Sequence, residues 1–217
     1  MSGYKDYADG NVLTAAEVDG YLQRQTVMRF PTTVGLTSAL GISSGVREHG
    51  MMAWADDGAA GAGALYVFSS ALTAWVPWDS PAKAFLSQGN SNSVNWTNGN
   101  ATQAGSWRYS GGMVRWNWWY AVGSTSNLQT GAYAFSLPVN VHVDLIDGSP
   151  IGQLTFKDTL GPTYYQRTVL PLGNAAFCAA MTEAGVRMAT TTPVGATTGD
   201  QFSVNACYPP ATSVWLT

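Results

Sequence analysis

Between residues 111 and 122 hydrophobic and polar positions alternate with a period of two. On an extended strand this puts Val114, Trp116, Trp118, Tyr120 and Val122 on one side, and Met113, Arg115, Asn117, Trp119 and Ala121 on the other. The first set is bulky and apolar, suited to a core. The second mixes a cation, an amide and an indole, suited to a surface or a subunit contact. A buried aromatic hides on the order of 150–250 Å², so this strand needs a substantial facing layer and is expected at the centre of a sandwich.

Short strand patterns continue on either side, at 106–110, 132–143, 153–156, 163–170, 175–181, 185–189 and 201–208. Gly111-Gly112, Asp147-Gly148, Gly161-Pro162 and Thr198-Gly199-Asp200 supply turn chemistry between them. Tyr133, Phe135 and Leu137 share one face, as do Phe202, Val204, Ala206 and Tyr208. Strands at this spacing predict an antiparallel β-sandwich, jelly-roll-like, over 106–217.

Upstream the pattern changes. Thr14-Ala15-Ala16-Glu17 forms a capping box, with Leu13 placed as a hydrophobic staple, and predicts a helix over about 14–28 that stops before Phe30-Pro31. Its stripe of Ala15, Val18, Leu22 and Gln25 is thin. The helix can lie on its own domain or meet copies of itself about a symmetry axis; little nearby offers an apolar bed, which favours the second. Residues 32–46 read as an extended connection. Runs at 51–55, 65–68 and 74–78 predict a small β-meander, with Pro77 marking an edge position. Composition then shifts to Ser, Asn and Gly. The chain therefore divides into an N-terminal region over 1–88, a linker over 89–105 and a head over 106–217, mainly β throughout.

The totals sharpen this picture. In 217 residues there are 24 Gly but only 11% charged side chains, with a net charge of −3, a balance typical of turn-rich β proteins. No basic stripe predicts nucleic-acid binding. No apolar run approaches ~20 residues, so no membrane span is expected, and the polar N-terminus carries no signal-peptide pattern. The Asn-x-Thr matches at Asn95 and Asn100 are read as chance without such a signal. Cys178 and Cys207 have no metal spacing and read as small buried residues that stay reduced.

Catalytic chemistry is sparse. His49 and His142 lack partners at ligand spacing, so no metal or other cofactor is expected. Asp144, Asp147, Asp158, Glu183 and Asp200 could supply the two acids of a glycosidase, but Asp147 and Asp200 occupy turn positions that explain them, as does Asp56-Asp57. No nucleophile elbow or phosphate loop occurs, so a non-enzymatic role is expected. Binding is better supplied. Trp119 beside Arg115 and Asn117 offers a ring for a sugar's C–H face and polar groups for its hydroxyls, and Asn127, Gln129, Tyr164 and Tyr165 are further candidates in loops or at edges. The competing reading of these residues is packing against a neighbouring subunit, or ordinary turn and edge positions.

Two groups of residues carry a resemblance. Gly10-Asn11-Val12-Leu13-Thr14-Ala15-Ala16-Glu17-Val18, followed by Tyr21-Leu22-Gln23-Arg24-Gln25, resembles the attachment helix of minor tail proteins of long-tailed bacteriophages that infect actinobacteria. Trp107 to Val114, Gly131 to Val139 and Gly199 to Asn205 resemble the β-sandwich head at fibre tips, and the Gly-x-Tyr-x-Phe portion is similar to trimeric complement-type and tumour-necrosis-factor-like jelly rolls. The resemblance implies a virion tail-tip or tail-fibre homotrimer, assembled in the host cytoplasm. Ala15, Val18, Leu22 and Gln25 would meet at the trimer axis, the N-terminal region would contact other tail proteins, and the head would bind an envelope glycan or receptor. A head-surface decoration or tail-end adaptor, and a glycan depolymerase, are the alternatives.

Overall fold

A computed structural model describes residues 27–40, 49–145, 148–161, 163–173, 176–189 and 196–216. The predicted helix lies outside them up to residue 26, with its stripe of Ala15, Val18, Leu22 and Gln25, as does Asp147. Met28, where that helix was expected to end, instead opens strand β1 (Met28–Phe30).

The chain is mainly β. After β1 come a short helix α1 (Thr33–Leu40), β2 (Met52–Ala55), β3 (Ala64–Ser69), β4 (Ala74–Asp79), β5 (Lys83–Ala84), β6 (Gly89–Ser91), β7 (Val94–Asn95), β8 (Thr102–Ser110) and β9 (Met113–Ala121). Then follow β10 (Tyr133–Ser136), β11 (Gly152–Asp158), β12 (Thr163–Pro171), β13 (Phe177–Met181) and β14 (Gln201–Tyr208). Hydrogen bonds join them into one sheet in the order β1-β2-β3-β4-β8-β9-β14-β11-β12-β13-β10-β6-β7, with β5 on β8.

The burial of β9 follows its alternation: Val114, Trp116, Trp118 and Tyr120 are buried, whereas Arg115 and Asn117 are exposed. Trp118 on β9 lies 5.3 Å, ring to ring, from Phe135 on β10, yet those strands are five places apart in the sheet. In a flat sheet that separation would be about 24 Å, so the sheet curls into a half-barrel around its aromatic face. Trp96, just after β7, fills the hollow and touches the rings of Tyr120, Tyr133, Phe135 and Phe202 at 5.1–5.7 Å. Its indole N–H donates to Ser91 Oγ at 2.9 Å. Gly89 is required beneath it, because a Cβ there would collide with the ring.

Two stretches depart from the sequence expectation. Residues 89–105, read as a linker, carry β6, β7 and the start of β8, and β6 pairs with β10 at Asn90–Ala134. The polar composition hid the single anchor, Trp96, that draws the segment into the core. Within 32–46, read as extended, Thr33–Leu40 is helical. Thr32 Oγ1 accepts the Gly35 N–H at 2.9 Å, and the Asp57 carboxylate, from another element, accepts the Thr33 N–H at 2.5 Å. These caps satisfy the first turn, while Leu36 and Leu40 are buried.

Candidate functional site: the outer face of the sheet

Pairing register aligns the outward side chains of five neighbouring strands into rows. One row reads Ser106, Asn117, Asn205, Gln153, Thr168 across β8, β9, β14, β11 and β12. The next reads Ala104, Trp119, Ser203, Thr155, Gln166. On the other side of the amide row, Arg108 on β8 opposes Arg115 on β9, which opposes Cys207 on β14. Amides and hydroxyls form a band through the middle. Ser106 Oγ donates to Asn117 Oδ1 at 3.3 Å. Two shallow depressions of about 360 Å³ each meet at Asn117, one reaching Arg115, Gln153, Asn205 and Cys207, the other Ser106, Trp119 and Ser203.

The charge of this face is one-sided. On these five strands its charged side chains are Arg108, Arg115 and Lys157, and no Asp or Glu occurs at the outward positions, although the whole chain carries a net −3. Arg108 and Arg115 are both exposed and directly opposed. Like charges directly across a strand pair are destabilising. Among the described residues neither forms an ion pair; the pairs present are Arg29–Asp56, His142–Asp144 and Arg167–Glu183. A guanidinium forks onto a carboxylate or phosphate with two parallel hydrogen bonds, so the arrangement suits an anionic group held beside an amide band and an indole.

Arg115, Asn117 and Trp119 are thus brought together with Arg108, Asn205 and Gln153, which sequence reasoning did not select. The signal for Arg108 was available: it alternates with buried Trp107 and Tyr109. Asn205 and Gln153 required the register. The other candidates are dispersed. Asn127 Oδ1 accepts the Gln129 N–H at 2.9 Å, and Gln129 has φ 58, so both serve a turn. Tyr164 is exposed opposite Lys157 on the outer face. Tyr165 lies on the inner side, stacked on Phe156 at 6.1 Å, with the Arg167 guanidinium 5.5 Å from its ring centre.

The acids have structural employment. Asp200 is fully buried and accepts the N–H and hydroxyl of Thr159, both at 2.8 Å, and the N–H of Thr197 at 2.6 Å. Asp158 caps a turn by accepting the Leu160 N–H at 2.9 Å, and Glu183 pairs with Arg167 at 3.2 Å. His142 lies 3.3 Å from the Asp144 carboxylate and stacks on Trp215. Among the described residues no group of three His, Cys, Asp or Glu side chains is placed to hold a metal, and no helix is long and apolar enough to cross a membrane. Both cysteines are free. Cys178 is buried, and burial pushes its thiol pKa up; Cys207, contrary to expectation, is exposed because it falls on the outer face of β14. No protein family, curated protein or solved structure matches the chain.

Proposed function

We propose that this chain is a bacteriophage virion protein, a trimeric tail-tip or tail-fibre component whose jelly-roll-like head binds an acidic glycan of the host envelope. The observation that carries the recognition surface is the exposed Arg108–Arg115 opposition, without an ion pair among the described residues, beside the amide band and Trp119. A carboxylate- or phosphate-bearing sugar would relieve the cation–cation contact, accept the guanidinium forks and bond its hydroxyls to Asn117, Asn205 and Gln153. Trp119, half-buried, offers part of its ring to a C–H face. The tail assignment rests on the sequence resemblance. In it the N-terminal region attaches to other tail proteins and three copies give avidity from weak single contacts.

Staining of intact host cells with fluorescently labelled protein tests this reading. Adsorption to host cells, competition with phage infection and weakening by added salt support it. Absence of cell binding favours an adaptor or head-decoration role, and release of soluble sugar from the envelope would identify a depolymerase instead.

A further inference from the structure

A second cleft, of about 400 Å³, opens where the turn between β2 and β3 meets the main sheet. Three polar-tipped aromatic side chains line it: Tyr66 on β3 with Trp107 and Tyr109 on β8. They are only 4%, 5% and 3% exposed. Trp107 and Tyr109 meet edge to face at 5.3 Å. Among the described residues neither phenol O–H nor the Trp107 indole N–H finds a hydrogen-bond partner. None of the three polar tips is among the fully buried unpartnered atoms of the described residues, so each keeps some accessible surface and is free to donate to a group placed in the cleft.

The wall of the cleft is held under strain. Ala59 (φ 49, ψ 46) and Ala60 (φ 56, ψ 43) both adopt the left-handed conformation, which L-residues avoid and which clusters at ligand sites. The Lys83 ammonium donates to the Ala60 carbonyl, and the Gly61 N–H to the Asp57 carbonyl at 3.0 Å. Gly58 lets the turn close on the aromatic wall, since a Cβ there would stand 2.9 Å from Ala64 Cβ and 3.1 Å from the Tyr66 ring.

The chemistry selects the ligand. Burial, with a smaller contribution from the Asp57 carboxylate, pushes the Tyr66 phenol up to about 12, and burial raises Tyr109 as well. Both are O–H donors at neutral pH. Asp57 repels anions, and its oxygens already accept the Thr33 N–H and hydroxyl. Exposed Asn140 and Ser213 add an amide and a hydroxyl at the rim. Neutral donors and an acidic neighbour fit an uncharged, hydroxyl-rich ring. We propose that this cleft binds a single neutral pyranose, separately from the basic outer face.

Titration with methyl α-D-mannopyranoside and methyl β-D-galactopyranoside, read on the indole N–H resonance of Trp107 in isotope-labelled protein, tests this. At least one glycoside is expected to shift that resonance saturably, with a millimolar Kd. Ser213→Trp, a plug introduced from an exposed position, is expected to weaken binding by more than about tenfold, and Tyr66→Phe, which keeps the ring, by about fivefold. The proposal is overturned if neither glycoside shifts Trp107 at up to about 100 mM, or if folded Ser213→Trp binds like the parent. The probes are neutral and monomeric, so the outcome is independent of binding at the outer face.

Discussion

Asp200 ties two loops to the end of β14 through hydrogen bonds to Thr159 and Thr197. Replacing it with Ala leaves those donors without their acceptor in a fully buried site, and each charge-assisted bond is worth about 1.5–3 kcal/mol. Asp200→Ala is expected to lower unfolding stability by about 3 kcal/mol in urea denaturation; a loss below about 0.5 kcal/mol would show that the loops are held otherwise. Tyr66 gives a prediction in pH. Burial pushes its folded pKa up to about 12, above the 10.0 of a free tyrosine phenol, so the unfolded chain releases the phenolic proton first. The stability contributed by the neutral phenol is complete below pH 10.0 and is lost as pH rises towards about 12. In Tyr66→Phe this part of the alkaline decline should be absent. Only the local half of Asp200's role, its bonds to Thr197, was readable in the sequence, because turn aspartates bond locally; Thr159 lies 41 residues away. The exposure of Cys207 follows from its alternation with buried Ala206 and Tyr208.

Elements were legible where the deciding interaction is local. The period-two pattern of β9 fixes its two faces without reference to any other strand, and β14 is equally plain at Gln201–Tyr208. Helix α1 was missed because one of its caps, Asp57, comes from 24 residues away. The stretch 132–143 was read as one long strand, but only Tyr133–Ser136 is strand, and Val143–Leu145 is a 3-10 turn. Pro138 interrupts it by withholding a ladder donor. The turn between β2 and β3 was legible from Asp56-Asp57 and the glycines after them, but its strain was not, since alanine gives no hint of left-handed backbone. Glycine carries no Cβ penalty there, and the left-handed conformation costs an L-residue roughly 1–2 kcal/mol. Ala60→Gly should therefore stabilise the protein by about 1 kcal/mol, measured as a raised urea midpoint with unchanged slope; destabilisation would mean that the Ala60 methyl packs productively.

At the scale of the molecule, the sequence conveyed the quantity of aromatic surface but not its disposal. Register decides that, and register depends on which of many strands become neighbours. Hence Trp118 and Phe135 could not be paired in advance, and Arg108, Asn205 and Gln153 could not be grouped with Arg115. The proposed trimer predicts a mass three times that of the 23.0 kDa chain in light scattering; a monomeric particle would remove the avidity argument. The resulting curl separates charge as well, leaving a cationic outer face on an acidic chain. The most direct test of that face is the affinity of the protein for purified acidic envelope polysaccharide, compared between the parent and Arg115→Glu with an unchanged unfolding midpoint. Binding should fall at least about tenfold in the variant and weaken in the parent as salt rises past about 0.15 M; equal, salt-insensitive binding by the two proteins would contradict it.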